Sequence, residues 1–204
     1  MFTKVALYNA RPGTQQAHDW AVGAGHDVIA AQPGFLGSLL GRSHDDDRQY
    51  VEVIQWESMA HAKAAFATAS AQPAVRAWIE QVDLPSVQSW EMRTLGVIGR
   101  QERSLGDGSV GSWLLVRWRT QHDVKSLEHT RNELLMHYEA FAPVPSYRGA
   151  LVLQEVEGEE RMELIAWPSA ELAQRSVAQI LGSGDPLVAQ HPSRTALPVP
   201  RCTT

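Results

Sequence analysis

The stretch Gln49-Tyr50-Val51-Glu52-Val53-Ile54-Gln55-Trp56-Glu57-Ser58, QYVEVIQWES, decides the fold. Alternation at a period of two puts Val51, Val53 and Gln55 on one side of a strand and Glu52, Ile54 and Trp56 on the other. Apolar residues on both sides describe a strand covered on both faces, and Glu52 is the odd member of its set. The stretch RMELIAWPS, Arg161–Ser169, repeats the pattern, with Met162, Leu164 and Ala166 opposing Glu163, Ile165 and Trp167.

Working outward from Gln49–Trp56, the polar turn Ser43–Arg48 joins it to a preceding strand, Phe35–Gly41. Lys4–Ala10 reads as a first strand closed by Arg11-Pro12-Gly13. Thr14 caps a helix whose predicted buried stripe is Ala17, Ala21, Ala24 and Val28, and Gln32-Pro33-Gly34 ends it. Ser58 caps a second helix with Ala62, Ala65, Phe66 and Ala69 inward. A short helix after Pro73 faces inward with Val75, Trp78, Ile79 and Val82, and Val87–Ile98 resumes strand character. The order β-α-β-β-α-β is the ferredoxin-like split βαβ unit, an α+β fold.

The same order restarts after 100–111. Ser112–Arg119 is a strand, Val124–Ala142 a helix, Tyr147–Val156 and Arg161–Trp167 a strand pair, Ser169–Leu181 a helix and Thr195–Val199 a last strand. Phe35–Leu40 aligns with Tyr147–Val152, and Glu52–Ser58 with Glu163–Ser169. The sequence therefore predicts two tandem copies, 1–99 and 112–204, joined by a linker at 100–111. A sheet with helices on one face must bury its other face, so the copies are expected to pack sheet on sheet.

With 204 residues, 44% hydrophobic content and 20% charged residues, the chain belongs with ordinary globular proteins. A net charge of -5 offers no basic footprint, which argues against nucleic acid and anionic lipid as partners. No apolar run approaches the ~18 residues of a membrane span and the first strand is too short for a signal peptide, so a cytoplasmic protein is expected. Cys202 is the single cysteine and cannot form a disulfide within the chain.

Several motifs read as ordinary structure. Gly106-Asp107-Gly108-Ser109-Val110-Gly111 fits G-x-G-x-x-G but precedes a strand, where a dinucleotide site needs a helix. His44-Asp45-Asp46-Asp47 reads as a solvated hairpin tip rather than a metal site. His122, His129 and His137 do not share a face at metal-site spacing, and no G-x-S-x-G elbow occurs. Glu52 keeps two readings. Beside Ile54 and Trp56 it sits in a poorly solvated wall that strengthens a carboxylate as a base; alternatively it bonds an indole or an arginine in a structural network.

QPGFLGSLLGRS followed by QYVEVIQWES resembles the antibiotic biosynthesis monooxygenase family, whose dimeric α+β barrel usually forms from two identical chains. The resemblance is good over Lys4–Ile98 and weak beyond Ser112. In that family a third-strand Trp, an Asn four residues before it, a Tyr six after it and an Arg twenty after it surround the substrate. Trp56 and Arg76 match, whereas Glu52 stands for the Asn and Ala62 for the Tyr. In the second copy Trp167 persists, Glu163 stands for the Asn, Pro168 follows the Trp and Leu187 stands for the Arg, as in a degenerate partner.

The resemblance implies a cofactor-free oxygenation, without flavin, heme or metal, in which an anthrone-like polycyclic aromatic reacts with O2 to give a quinone. It assigns Glu52, Trp56 and Arg76 to catalysis and Ile54, Ala62, Phe66 and Asn9 to the substrate wall. Pairing of two such chains into a homodimer is compatible with it. A non-oxidative polyketide cyclase or ligand-binding protein, and a heme-handling protein, are the alternative functions for this fold.

Overall fold

The computed structural model describes residues 1–43, 46–98, 112–119, 149–158, 160–169, 171–172, 175 and 195–200. The chain divides into two compact units, Met1–Glu91 and Met92–Arg201. The first contains β1 (Phe2–Asn9), α1 (Gln15–Ala30), β2 (Phe35–Arg42), β3 (Gln49–Trp56), α2 (Met59–Ala69), α3 (Pro73–Ile79) and the start of β4 (Gln88–Ile98). This is the predicted mixed α+β order, and β3 has the predicted bounds.

Strand order in the first unit is β2-β3-β1-β4. The strand β3 lies between two antiparallel neighbours, with Glu52 opposite Ala6 of β1 and opposite Leu40 of β2. Directly opposed residues share a face, so Lys4, Ala6, Tyr8, Ser38, Leu40 and Arg42 lie on the Glu52 side. On the other side Val5, Leu7, Leu39, Val51 and Val53 are buried. Both faces of β3 are therefore covered, as its sequence requires.

The helices cover the Glu52 side. The residues α1 buries are His18, Ala21, Val22, Gly25 and Ile29, so the predicted stripe is corrected by about one position: Ala17 and Ala24 are exposed and Val28 is half-buried. A hydrophobic count misses this because two of the buried residues are a histidine and a glycine. Ala62, Ala65 and Ala69 of α2 are buried as expected, with Phe66 half-buried. Trp78 and Val75 anchor α3, but Ile79 is 39% exposed and leaves the predicted inward set. One residue past Trp78 on a helix is rotated by about 100°, which turns Ile79 outward.

Two local features fix the helix ends. Ser58 caps α2 by accepting a hydrogen bond from the His61 backbone N–H at 3.2 Å. Gly34, at φ +79°, makes the turn into β2, and its carbonyl accepts from Glu57 N at 2.9 Å.

The second unit contains β5 (Ser112–Arg119), β6 (Gly149–Glu155), β7 (Glu160–Trp167) and β8 (Thr195–Pro200), in the order β6-β7-β5-β8. Residues from Met92 onward in β4 pair with β6 in this unit. Counting strands within each repeat, both sheets run 2-3-1-4. The registers agree as well: Leu40 opposes Glu52 and Val152 opposes Glu163, the pairs the internal alignment demands. The expected linker 100–111, the helix Val124–Ala142 and most of Ser169–Leu181 lie outside the described residues; Glu171 and Leu172 are helical, and Leu172 N donates to Ser169 Oγ at 3.3 Å.

A methyl group at residue 34 would stand 2.4 Å from His61 Cγ in a backbone conformation that L side chains avoid. Gly34→Ala should therefore lower stability by about 1–3 kcal/mol in urea unfolding. At Gly37, where a Cβ meets nothing within 4 Å, the Ala substitution should change stability by less than about 0.5 kcal/mol.

Candidate functional site

The site is built on the helix-covered face of β3. Glu52 is 7% exposed in mid-strand, and a buried carboxylate needs donors. His26 of α1 supplies one: its Nε2 donates to Glu52 Oε1 at 2.8 Å. With that proton on Nε2, the Nδ1 of a neutral ring accepts from the Ser38 hydroxyl of β2 at 3.3 Å. One chain of contacts thus runs from β2 through α1 to β3. Glu52 Oε2 makes no hydrogen bond to the described residues. The partner of Glu52 is thus a histidine rather than the indole or arginine of the structural reading.

Trp56 ends the wall. Its ring is fully buried and meets Phe35 of β2 edge-on at 5.7 Å between centroids and Phe66 of α2 at 6.0 Å. Its indole N–H is buried without a hydrogen-bond partner among the described residues. Such a donor costs free energy unless another group occupies it. Lys4 of β1 reaches the same region, with Nζ 4.8 Å from the Phe66 centroid. Glu52, Ile54, Trp56 and Ala62 are buried, while Lys4, Ala6, Ser38, His26 and Phe66 around them are half-exposed. A dry floor with a solvent-accessible rim results.

The residues expected from sequence separate into two groups. Glu52, Ile54 and Trp56 share one face, and Phe66 joins them through its ring contact with Trp56. Ala62 is buried on α2. Asn9 opposes Gln49 and so lies on the other face of the sheet; its backbone N–H donates to Ser86 Oγ at 2.8 Å. Arg76 is exposed on α3, on a side of the helix distinct from buried Val75 and Trp78. The structure brings the first four together and does not bring Asn9 or Arg76 to them.

A second polar group on the same face went unrecognised in the sequence. His18 of α1 is fully buried and tilts against the Tyr50 ring at 4.1 Å between centroids. Its Nδ1 lies 3.5 Å from Asp19 Oδ1, and Tyr8 Oη lies 3.2 Å from its Nε2. Tyr50 donates to Asp19 Oδ1 at 2.7 Å, and Arg42 donates to Asp19 Oδ2 at 3.2 Å. Burial, followed by the bond to Asp19 and its charge, pushes the Tyr50 phenol above its usual range. Burial also pushes His18 below the usual histidine range, against the opposing pull of Asp19. Apart from the adjacent pair His18–Asp19, these partners lie 10 to 31 residues apart in sequence, beyond the reach of local spacing.

The comparisons with known proteins agree with this architecture. Residues 1–81 match the antibiotic biosynthesis monooxygenase family. A candidate monooxygenase from Lactobacillus acidophilus NCFM shares the fold at 12% identity and TM-score 0.68, over 99% of this chain and 94% of that one. An anthrone oxidase-like protein does so at 14% identity and TM-score 0.70, over 98% and 90%. A candidate monooxygenase from Fusobacterium nucleatum subsp. nucleatum matches at 8% identity and TM-score 0.70, over 99% and 92%. At these identities the likeness concerns the fold, and it spans nearly the whole chain. No curated protein matches the sequence. Among the described residues no helix is long and apolar enough to cross a membrane.

The lowered His18 pKa has a definite sign. A histidine depressed in the folded state is protonated more readily after unfolding, so acid favours the unfolded chain. Below about pH 6.5, the ordinary histidine value, the stability associated with neutral His18 is progressively lost. The melting temperature should fall more steeply between pH 7 and pH 5 in the wild type than in His18→Gln, which can bond Tyr8 but cannot titrate. Parallel pH profiles would show that His18 does not carry the effect.

Proposed function

We propose, on the premise of an N-terminal antibiotic biosynthesis monooxygenase domain, that the chain is a cofactor-independent monooxygenase of polycyclic aromatics, converting an anthrone-like CH2 to a quinone carbonyl with O2. The observation that carries this reading is a buried carboxylate held by His26 beside an aromatic wall whose indole N–H has no partner.

The chemistry assigns each group a task. The aromatic ring system lies against Ile54, Trp56 and Phe66, which exclude water from the reacting carbon. Glu52 Oε2 accepts the proton from the CH2, leaving a carbanion delocalised onto the carbonyl oxygen as an enolate. The Trp56 N–H, unsatisfied in the free protein, can donate to an oxygen on which negative charge develops. The electron-rich anion reduces O2, and recombination at the same carbon gives a peroxide that takes up a proton. Loss of the remaining C–H proton with cleavage of the O–O bond forms the carbonyl and releases water. Substrate CH2 and O2 thus become C=O and H2O, with no other reductant consumed.

His26 positions the base. Its bond to Oε1 leaves Oε2 directed elsewhere, and the anchor to Ser38 restrains the imidazole. Asn9, on the far face, and Arg76, exposed on α3, take no part in this arrangement.

The test is to mix the purified protein with 1,8-dihydroxyanthrone in air, following quinone absorbance and O2 uptake against a boiled control. One O2 consumed per quinone, at a rate well above control, is expected. In Glu52→Gln turnover should fall by about 10²–10⁴-fold, the usual contribution of a general base, with the melting temperature nearly unchanged. A rate equal to control defeats the proposal, and loss of folding in Glu52→Gln returns Glu52 to a structural role.

A further inference from the structure

Lys4 is a residue of the site that neither spacing nor the family resemblance assigns. Three observations bear on it. It lies directly opposite Ile54 in the β1–β3 register, so Glu52 and Trp56 are its two diagonal neighbours on the same face. Diagonal neighbours across an antiparallel pair stand roughly 7–8 Å apart, about the width of a fused aromatic ring system. Its Nζ sits over the Phe66 ring, and no carboxylate lies within ion-pair distance of it among the described residues.

A lysine in a strand between two buried neighbours, Thr3 and Val5, ordinarily sends its head to water or to a carboxylate. Here the ammonium rests on a ring face, an attraction of about 0.5–1 kcal/mol at partly exposed sites. That contact engages one side of the ammonium and leaves N–H donors free. Diagonally across the β1–β3 pair on the same face is the fully buried Trp56 indole, whose N–H has no partner among the described residues. Two donors with no acceptor among the described residues, one of them charged, thus share the face of Ile54 with the base at residue 52.

We infer that Lys4 and the Trp56 N–H together form an anion-receiving pair that selects aromatic ligands bearing a negatively charged oxygen, with Lys4 as the charged member. The inference rests on the site read under the proposed function and names its substrate class: an aromatic whose oxygen carries the charge once Glu52 has taken the proton. It divides the labour across Ile54, with the base at residue 52 and the counter-charge on β1. Arg76, exposed on α3, is not required for it.

The experiment uses a ligand pair that cannot be turned over, anthracene-9-carboxylate and its neutral isostere anthracene-9-carboxamide, titrated against the full chain by tryptophan fluorescence. The wild type should prefer the carboxylate by about tenfold or more, the scale of one charge-assisted hydrogen bond. Lys4→Met keeps the apolar stem on Phe66 and should bind the two ligands equally, whereas Lys4→Arg should retain the preference. Should Lys4→Met fail to fold, Lys4→Gln serves in its place. No preference in the wild type, or a preference that survives in Lys4→Met, overturns the inference, as does absence of binding by both ligands. The anthrone assay separates the two ideas. A Lys4-dependent preference without O2 uptake would leave this site and remove the oxygenase; O2 uptake with no role for Lys4 would do the reverse.

Discussion

Much of the first unit depends on one constraint: a carboxylate buried in the middle of a strand that has neighbours on both edges and cover on both faces. Glu52 is nearly buried in mid-strand, so a donor must come to it. His26 does so from α1 at 2.8 Å. That contact sets the rotation of the helix. With residue 26 turned toward the sheet, Val22 and Ile29 turn with it at spacings of four and three, His18 follows one turn before Val22, and Gly25 lies one residue round the helix. The same rotation brings His18 between Tyr8 and Tyr50 and leaves Asp19 within reach of the Tyr50 hydroxyl and Arg42. Gly25 then makes room for Trp78, whose ring also tilts against His26 at 5.5 Å. The histidine that bonds Glu52 thus also lies in the contact between α1 and α3.

The second sheet has the same strand order and register with different chemistry. Glu163 occupies the place of Glu52 and is completely buried. The pair Arg42–Tyr50 of the first sheet corresponds by register to Gln154–Arg161 of the second. In the first, Tyr50 and Arg42 both reach to Asp19 on a helix. In the second, Arg161 Nε donates to Gln154 Oε1 at 2.6 Å, and Gln154 Nε2 donates to the carbonyls of Gly158 and Glu160. Among the described residues these contacts close the β6–β7 hairpin.

Much of this fold was legible because period-two alternation is a direct consequence of strand geometry. The bounds of β3 and β5 and the near-repeat of Glu52-Val53-Ile54 at Glu163-Leu164-Ile165 come straight from it. The face of α1 was misjudged because alanines at Ala17, Ala21 and Ala24 mimic a stripe while the residues that decide it, His18 and His26, are polar. The site was half legible. Ile54 and Trp56 follow from alternation with Glu52, and Phe66 from helical spacing, but the partners of Glu52 and Trp56 come from α1, α2, β1 and β2. Arg76 shows the converse: a match in residue type and spacing that the helix turns to solvent.

The exchange of Asn for Glu, relative to the pattern the resemblance implies, also gains a physical account. An amide both donates and accepts and carries no charge, so it can be satisfied by neutral neighbours. A carboxylate only accepts and brings a negative charge into a dry wall. It needs a donor on one oxygen, and His26 provides it. If the charge is to be used in chemistry, the developing anion on the substrate must not be left facing the carboxylate that created it. A cation on the opposite strand, spaced by Ile54, answers that electrostatic requirement, and Lys4 is the residue that β1 places there. On the proposed reading His26, Glu52 and Lys4 act together, and a change at residue 52 alters what the other two are for.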